Sequence, residues 1–152
     1  MQIGKRFWYV LAELKRRDNI EVAMKGSELH IMKYSSRQIG QQNEKLAAEH
    51  LRAHGYTIMA RNWRCATGEI DIIARQDETL VFVEVRSRSG STTAAALETI
   101  VRRKQHKLIQ LAHEYLAHHG LEDADWRIDV IGIAMRGGAP PLIDHVENAL
   151  DW

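Results

Sequence analysis

Apolar residues recur along this chain with two different periods, and the changes between them mark out its elements. Phe7, Trp8, Val10, Leu11 and Leu14 are spaced for one short amphipathic helix over Lys5 to Arg17. Stronger patterns begin only near Arg37, so residues 1–36 are read as an N-terminal appendage and 37–152 as the folded domain. From Arg37 to His54 the period is helical, with Ile39, Leu46, Ala47, His50 and Leu51 on one broad face. Ser35 or Ser36 is available as N-cap, and Gly55 is a natural stop. Tyr56 to Ala60 then reads as a short strand, Asn62 to Thr67 as a connection, and Glu69 to Arg75 as a second strand. Gln76 to Thr79 makes a turn into a third strand, Leu80 to Arg88, rich in β-branched residues with period-two alternation. A polar loop follows over Ser89 to Thr93. Leu97, Ile100, Val101, Leu108, Leu111, Ala112 and Tyr115 then form one stripe of a long helix, Ala94 to His118, which Gly120 ends. Trp126 to Met135 and Leu142 to Val146 are strands on either side of a Gly/Pro turn. The order α-β-β-β-α-β-β predicts an α/β domain, a mixed central sheet flanked by helices.

Composition narrows this picture. A chain of 152 residues, 45% apolar and 27% charged, is ordinary for one domain with a sizeable core. The apolar run Phe7 to Ala12 is cut off by Glu13 and Lys15, too short for an export signal or a membrane span. A cytoplasmic protein without membrane contact is expected. The only cysteine, Cys65, rules out an internal disulfide and a cysteine-based zinc cluster within one chain. The net charge of +1 conceals an asymmetry: residues 1–36 carry 7 Lys/Arg against 4 Asp/Glu, 37–107 carry 12 against 8, and 108–152 carry 2 against 8. A basic first two thirds suits a polyanion such as nucleic acid. Taken alone, the charge fits a solvated mixed-charge surface equally well.

The chemistry lies in the hairpin. Counting back from a turn at residues 76–79 puts Arg75 opposite Leu80, Asp71 opposite Glu84, and Glu69 opposite Arg86. Alternation then places Glu69, Asp71, Glu84 and Arg86 on one face and Ile70, Ile72, Val83 and Val85 on the other. Directly opposed Cβ atoms lie about 4.5–5.5 Å apart, where like charges repel. Something must neutralise Asp71 and Glu84. A hard divalent cation would do so, since Mg²⁺ takes carboxylate, water and phosphate oxygens. So would Arg86, as one member of an internal ion-pair network.

Two helical positions break their apolar stripes. Glu44 lies at the edge of the face carrying Ala47, Ala48 and Leu51, and Lys104 falls between Val101 and Leu108. Each is read singly as a boundary residue, and each gains interest beside the hairpin. The eight histidines offer no convincing metal set: His50 and His54 lack a third ligand, and His113 and His118 are spaced i, i+5. Cys65 beside Arg61 and Arg64 reads as a plain loop cysteine. Trp63 fits a base-stacking site and a core position equally well.

The stretches Gly68-Glu69-Ile70-Asp71-Ile72-Ile73-Ala74 and Val81-Phe82-Val83-Glu84-Val85-Arg86-Ser87-Arg88 resemble the YraN-like family of small bacterial proteins, itself similar to Holliday junction resolvases and other PD-(D/E)xK nucleases. The resemblance extends through Gly40, Glu44 and Ala47, Gly55-Tyr56, Arg61-Asn62-Trp63-Arg64, Arg103-Lys104-Gln105, Asp129 and Asn148-Ala149, covering about residues 37–150. It implies a restriction-endonuclease-like fold with Mg²⁺ or Mn²⁺ held by Asp71 and Glu84, Glu44 contributing. Arg61, Arg64, Arg88, Arg103 and Lys104 would hold nucleic acid, expected to be branched or single-stranded DNA. The chain departs from the pattern at Arg86, where the nucleases carry Lys. Arg forks toward phosphate but cannot act as a base near neutral pH. Two functions are therefore expected as rivals, a metal-dependent nuclease and a non-catalytic nucleic-acid-binding or interaction module. A branch-specific nuclease would suit a symmetric dimer.

Overall fold

The computed structural model describes residues 20–25, 28–90, 92–97, 102–136 and 139–149; the helix expected over Lys5 to Arg17 lies outside them. Within the segment read only as an appendage, β1 (Ile20–Lys25) and β2 (Glu28–Lys33) pair antiparallel as a separate two-stranded sheet. Ile20, Val22 and Met24 alternate along β1, and Leu29 and Ile31 along β2, a period-two pattern too short for the sequence reading to have marked these strands.

The domain proper opens with α1 (Ser36–Ala53). Ser35 caps it in a capping box: its hydroxyl accepts from the Gln38 N–H, and the Gln38 side chain accepts from the Ser35 N–H. Gly55, at φ 88°, turns the chain away from the helix. Five strands follow in one sheet: β3 (Thr57–Cys65), β4 (Gly68–Gln76), β5 (Thr79–Ser89), β6 (Trp126–Met135) and β7 (Leu142–Val146). Their spatial order is their sequence order. Every neighbouring pair is antiparallel except β5 with β6. That parallel pair needs a crossover, which carries α2 (Ala94–Leu97) and α3 (Arg102–His119). The expected single helix from Ala94 to His118 is thus helical at both ends, and residues 98–101 between them lie outside the described set.

The helices cover opposite faces. Ala47, Ala48 and Leu51 of α1 pack on Ile72, Ala74, Val81, Val83, Ile131 and Ile133. Leu108, Leu111, Ala112 and Tyr115 of α3 pack on Ile70, Ile73, Phe82 and Ile128. The expected α/β mixed sheet flanked by helices is the architecture found. One boundary differs. The stretch from Asn62 expected as a connection is the second half of β3, paired with β4 as far as Cys65 opposite Gly68. A register shift between Ile58 and Ala60 and a positive φ at Asn62 interrupt the alternation that would have revealed a strand.

Gly132 on β6, the ladder partner of Arg86, is where α2 touches the sheet. A Cβ there would lie 2.9 Å from Leu97 Cγ, so the small residue lets α2 sit flat beside the end of β5. Gly132→Ala is expected to lower stability by about 1–3 kcal/mol, read as a reduced urea midpoint. An unchanged midpoint would mean that α2 is not pinned there.

Candidate active site

The hairpin register is the one counted from the sequence. Gln76 pairs with Thr79 and Arg75 with Leu80 across a turn in which Asp77 has φ 50°. The ladder runs to Ile72 opposite Val83, and just beyond its end Asp71 lies close enough to Glu84 for their charges to act on each other. There the strands change their bonding: the Val85 N–H donates to Asp71 Oδ2 at 2.8 Å. Alternation also breaks at Asp71. Ile70 packs beneath α3 while Ile72 packs beneath α1, so the two do not share a face as strict period two requires. The expected square of charges is likewise altered. Glu69 is exposed and pairs with Arg64, its ladder partner on the edge strand β3, at 3.0 Å.

Glu84 is buried, and two cations reach its Oε1: Arg86 Nη2 at 3.0 Å and Lys104 Nζ, from α3, at 2.5 Å. Burial pushes Asp71 up to about 7, with the neighbouring Glu84 and Glu44 charges adding to the rise, while the Val85 N–H and Arg86 oppose it. Burial likewise raises Glu84, with Arg86 opposing and Glu69 adding. Lys104 places a second positive charge on the same carboxylate oxygen that Arg86 meets. Glu44 completes the cluster from α1. Its Oε2 accepts from Asn62 Nδ2 at 2.6 Å and lies 3.7 Å from Arg61 Nη2.

The structure therefore brings Glu44, Asp71, Glu84, Arg86 and Lys104 into one electrostatic unit. Among the described residues no three His, Cys, Asp or Glu side chains gather closely enough to cage an ion by themselves. The donor set is instead two adjacent carboxylates, Glu84 buried and Asp71 half-buried. That fits Mg²⁺ or Mn²⁺, which accept one or two carboxylates and complete their shell with water and phosphate oxygens. Arg61 and Arg64 are engaged by Glu44 and Glu69 on β3. Arg88 is exposed near the end of β5. Arg103 falls on α3 with its side chain outside the described set. Trp63 packs edge-on against Tyr115, with ring centroids 5.2 Å apart, which assigns it to the core beneath α3 rather than to a stacking platform. Cys65 ends a strand instead of lying in a loop, near Thr67 Oγ1.

A second polar cluster had only one visible signal, an acid inside the apolar run of β6. Asp129 is fully buried and accepts from Arg127 Nε, His145 Nε2 and the Asn148 N–H, each at 2.9 Å. Arg127 also donates to Tyr56 Oη and Gln76 Oε1, and Tyr56 donates to Glu147. Burial alone would raise the Asp129 carboxyl, but these donors hold it below its ordinary value. Burial and the Glu147 bond push Tyr56 up to about 12. The cluster ties β6, β7 and the residues after β7 to the turn that follows α1. Its evident work is to fix the chain.

Residues 43–133 match the profile of the uncharacterised protein family UPF0102. A UPF0102 protein of Chloroflexus aurantiacus is 49% identical over 115 residues, which is 75% of this chain and 93% of that one. One from Pseudomonas aeruginosa is 40% identical over 123 residues, 77% of this chain and 95% of that one. These are the relatives that the YraN-like resemblance leads to expect. The solved structure of Pyrococcus furiosus SfsA in complex with Ca²⁺ overlaps with a TM-score of 0.39 at 16% identity, covering 84% of this chain and 75% of that chain. So slight an overlap decides nothing about fold or chemistry. Among the described residues no helix is long and apolar enough to cross a membrane.

Two outcomes follow from these environments. Folding raises the Asp71 carboxyl from 3.8 to about 7, so the folded chain holds a proton that the unfolded chain has released. The associated stability is fully present below about pH 4 and is lost as pH rises through about 7. Between pH 5 and pH 8 one such group removes about 2 kcal/mol, measurable by urea denaturation in chelator, and Asp71→Asn should flatten that slope. A slope unaltered by Asp71→Asn would contradict the assignment. Asp129→Ala, which strands Arg127 and His145, is expected to cost about 3–5 kcal/mol by the same measurement; a loss below about 1 kcal/mol would show the cluster to be dispensable.

Proposed function

The chain belongs to the uncharacterised protein family UPF0102, and from that premise we propose a divalent-metal-dependent nuclease that hydrolyses phosphodiester bonds in branched or single-stranded DNA in the cytoplasm. One observation carries the reading: two carboxylates, the buried Glu84 and the half-buried Asp71, lie next to each other with Arg86 and Lys104 on the same site. A purely structural hairpin gains nothing from such a pair, because each carboxylate raises the cost of ionising the other.

Asp71 and Glu84 would hold Mg²⁺ or Mn²⁺, with Glu44 supporting Asp71 from α1. Such an ion supplies Lewis acidity toward a phosphate oxygen and lowers the pKa of a water beside it. The chain's own residues do the rest. Arg86 presents a planar guanidinium fork to phosphate. Its Nε is buried without a partner, so the guanidinium retains an unused donor. Lys104 reaches the same carboxylate from α3 and offers a second positive charge where negative charge develops on phosphate. Lys at the Arg86 position, the feature this chain lacks, is thereby offset by a Lys from another element. Arg61, Arg64, Arg88 and Arg103 supply backbone-holding charge at longer range. A branched substrate presents two related strands, which suits a twofold pair of copies.

The rival reading is a nucleic-acid-binding module without chemistry, and the double engagement of Glu84 by Arg86 and Lys104 favours it, since those cations already neutralise the carboxylate. The test incubates the full chain with linear, single-stranded and four-way-junction DNA in Mg²⁺ or Mn²⁺. Cleavage is expected in wild type and a loss of 100-fold or more in Asp71→Ala and Glu84→Ala, as for removal of groups that hold the reacting phosphate. DNA binding without cleavage under any condition would establish the rival, and cleavage surviving both substitutions would place the chemistry elsewhere.

A further inference from the structure

Outside the carboxylate site, a cleft of about 270 Å³ opens between the first half of α1 and the last residues of β5. Ser36, Gly40 and Asn43 line it from one helical face, and Ser87 and Arg88 line it from the strand. Ile39 and Met135 supply its apolar wall. We infer that this cleft binds one phosphorylated nucleotide unit of a nucleic-acid strand, the base against Ile39 and Met135 and the phosphate toward Ser36 and Arg88. This deepens the nuclease reading and rests on it for the strand, while the binding of the nucleotide itself needs no metal.

Two independent features point to a ligand. Asn43 is only 3% exposed; its Nδ2 donates to Ser87 Oγ at 2.6 Å, and its Oδ1 has no partner. A buried polar atom left unmatched costs about 1–3 kcal/mol, so a donor that reached Asn43 from the cleft it lines would recover that cost. Nucleobase edges and sugar hydroxyls carry such donors. The second feature is Gly40. Glycine inside a helix costs roughly 1 kcal/mol against alanine and is retained where backbone must be approached closely. Here no neighbouring atom demands it: a Cβ built at Gly40 meets nothing within 4 Å. What the missing side chain preserves is the opening itself.

The charge agrees. The cleft meets the start of an 18-residue helix whose first turn carries no acid, so the positive end of the helix dipole is not offset there by an acidic side chain. Arg88 adds a full charge at the same place. Along β5, Arg88 is four residues from Glu84, about 13 Å at ~3.3 Å per residue, or some two nucleotide steps from the carboxylates. A strand lying across Glu84 and Arg86 can therefore set a neighbouring nucleotide into the cleft.

The test titrates the metal-free full chain with a deoxynucleoside 5′-monophosphate, the matching deoxynucleoside and inorganic phosphate, following backbone amides by NMR. The monophosphate is expected to shift the amides of residues 36–43 and 87–89 and to bind at least 10-fold more tightly than either fragment. Gly40→Leu, which fills the opening while favouring the helix, should weaken it at least 10-fold with an unchanged or raised Tm. Arg88→Ala should weaken the monophosphate and leave the nucleoside unaffected. Phosphate binding as tightly as the monophosphate would reduce the cleft to an anion site and overturn the inference; so would an unaltered affinity in Gly40→Leu. Mn²⁺ broadening of the Asp71 and Glu84 amides is measured separately. Nucleotide binding without Mn²⁺ binding would sink the nuclease reading alone, and the reverse would sink this inference alone.

Discussion

Two carboxylates placed side by side on a buried hairpin repel each other, and the active end of this molecule is arranged around that repulsion. Asp71 is met by the Val85 N–H, Glu84 by Arg86 and Lys104, and Glu44 approaches from α1 with its own charge held by Asn62 and Arg61. The compensation is incomplete, because both acids remain well above the ordinary carboxylate range. A site with acids to spare and cations beside them is suited to take up a divalent ion and the phosphate that accompanies it.

The rest of the fold holds that hairpin in place. The sheet fixes the register from the turn to Ile72 and Val83, and the two helices clamp its opposite faces. Gly132 allows α2 to lie beside the ladder partner of Arg86, and α3 carries Lys104 to Glu84. The Asp129 network fastens β6 and the residues after β7 on the other side of the sheet. It is a satisfied network, in contrast to the Asp71 and Glu84 pair, and that contrast separates structural burial of charge from burial poised for a ligand.

Much of this was legible in the sequence. The capping serine, Gly55, and strands β5, β6 and β7 followed from period and punctuation, and the hairpin register as far as Ile72 opposite Val83 followed from counting across a four-residue turn. What failed did so where backbone irregularity defeats periodicity. The shift near Met59 and the positive φ at Asn62 disguised half of β3, and the break at Asp71 sent Ile70 and Ile72 to opposite faces. Lys104 showed as a lone polar residue on an apolar stripe, but only the packing of α3 on the sheet reveals that it reaches Glu84. Asn43 gave no signal, because its importance lies in an unpaired atom and a cleft formed with residues 44 or more positions away.

The account turns on whether Asp71 and Glu84 exchange a proton for a divalent ion. Calorimetric titration of Mn²⁺ into the full chain, repeated in buffers of different ionisation enthalpy, counts the protons released. Near pH 6 the account predicts about one proton per bound ion, fading above pH 8 as the pair ionises unaided, with both binding and release lost in Asp71→Asn. Absence of binding, or binding that releases no proton and survives Asp71→Asn, would contradict it.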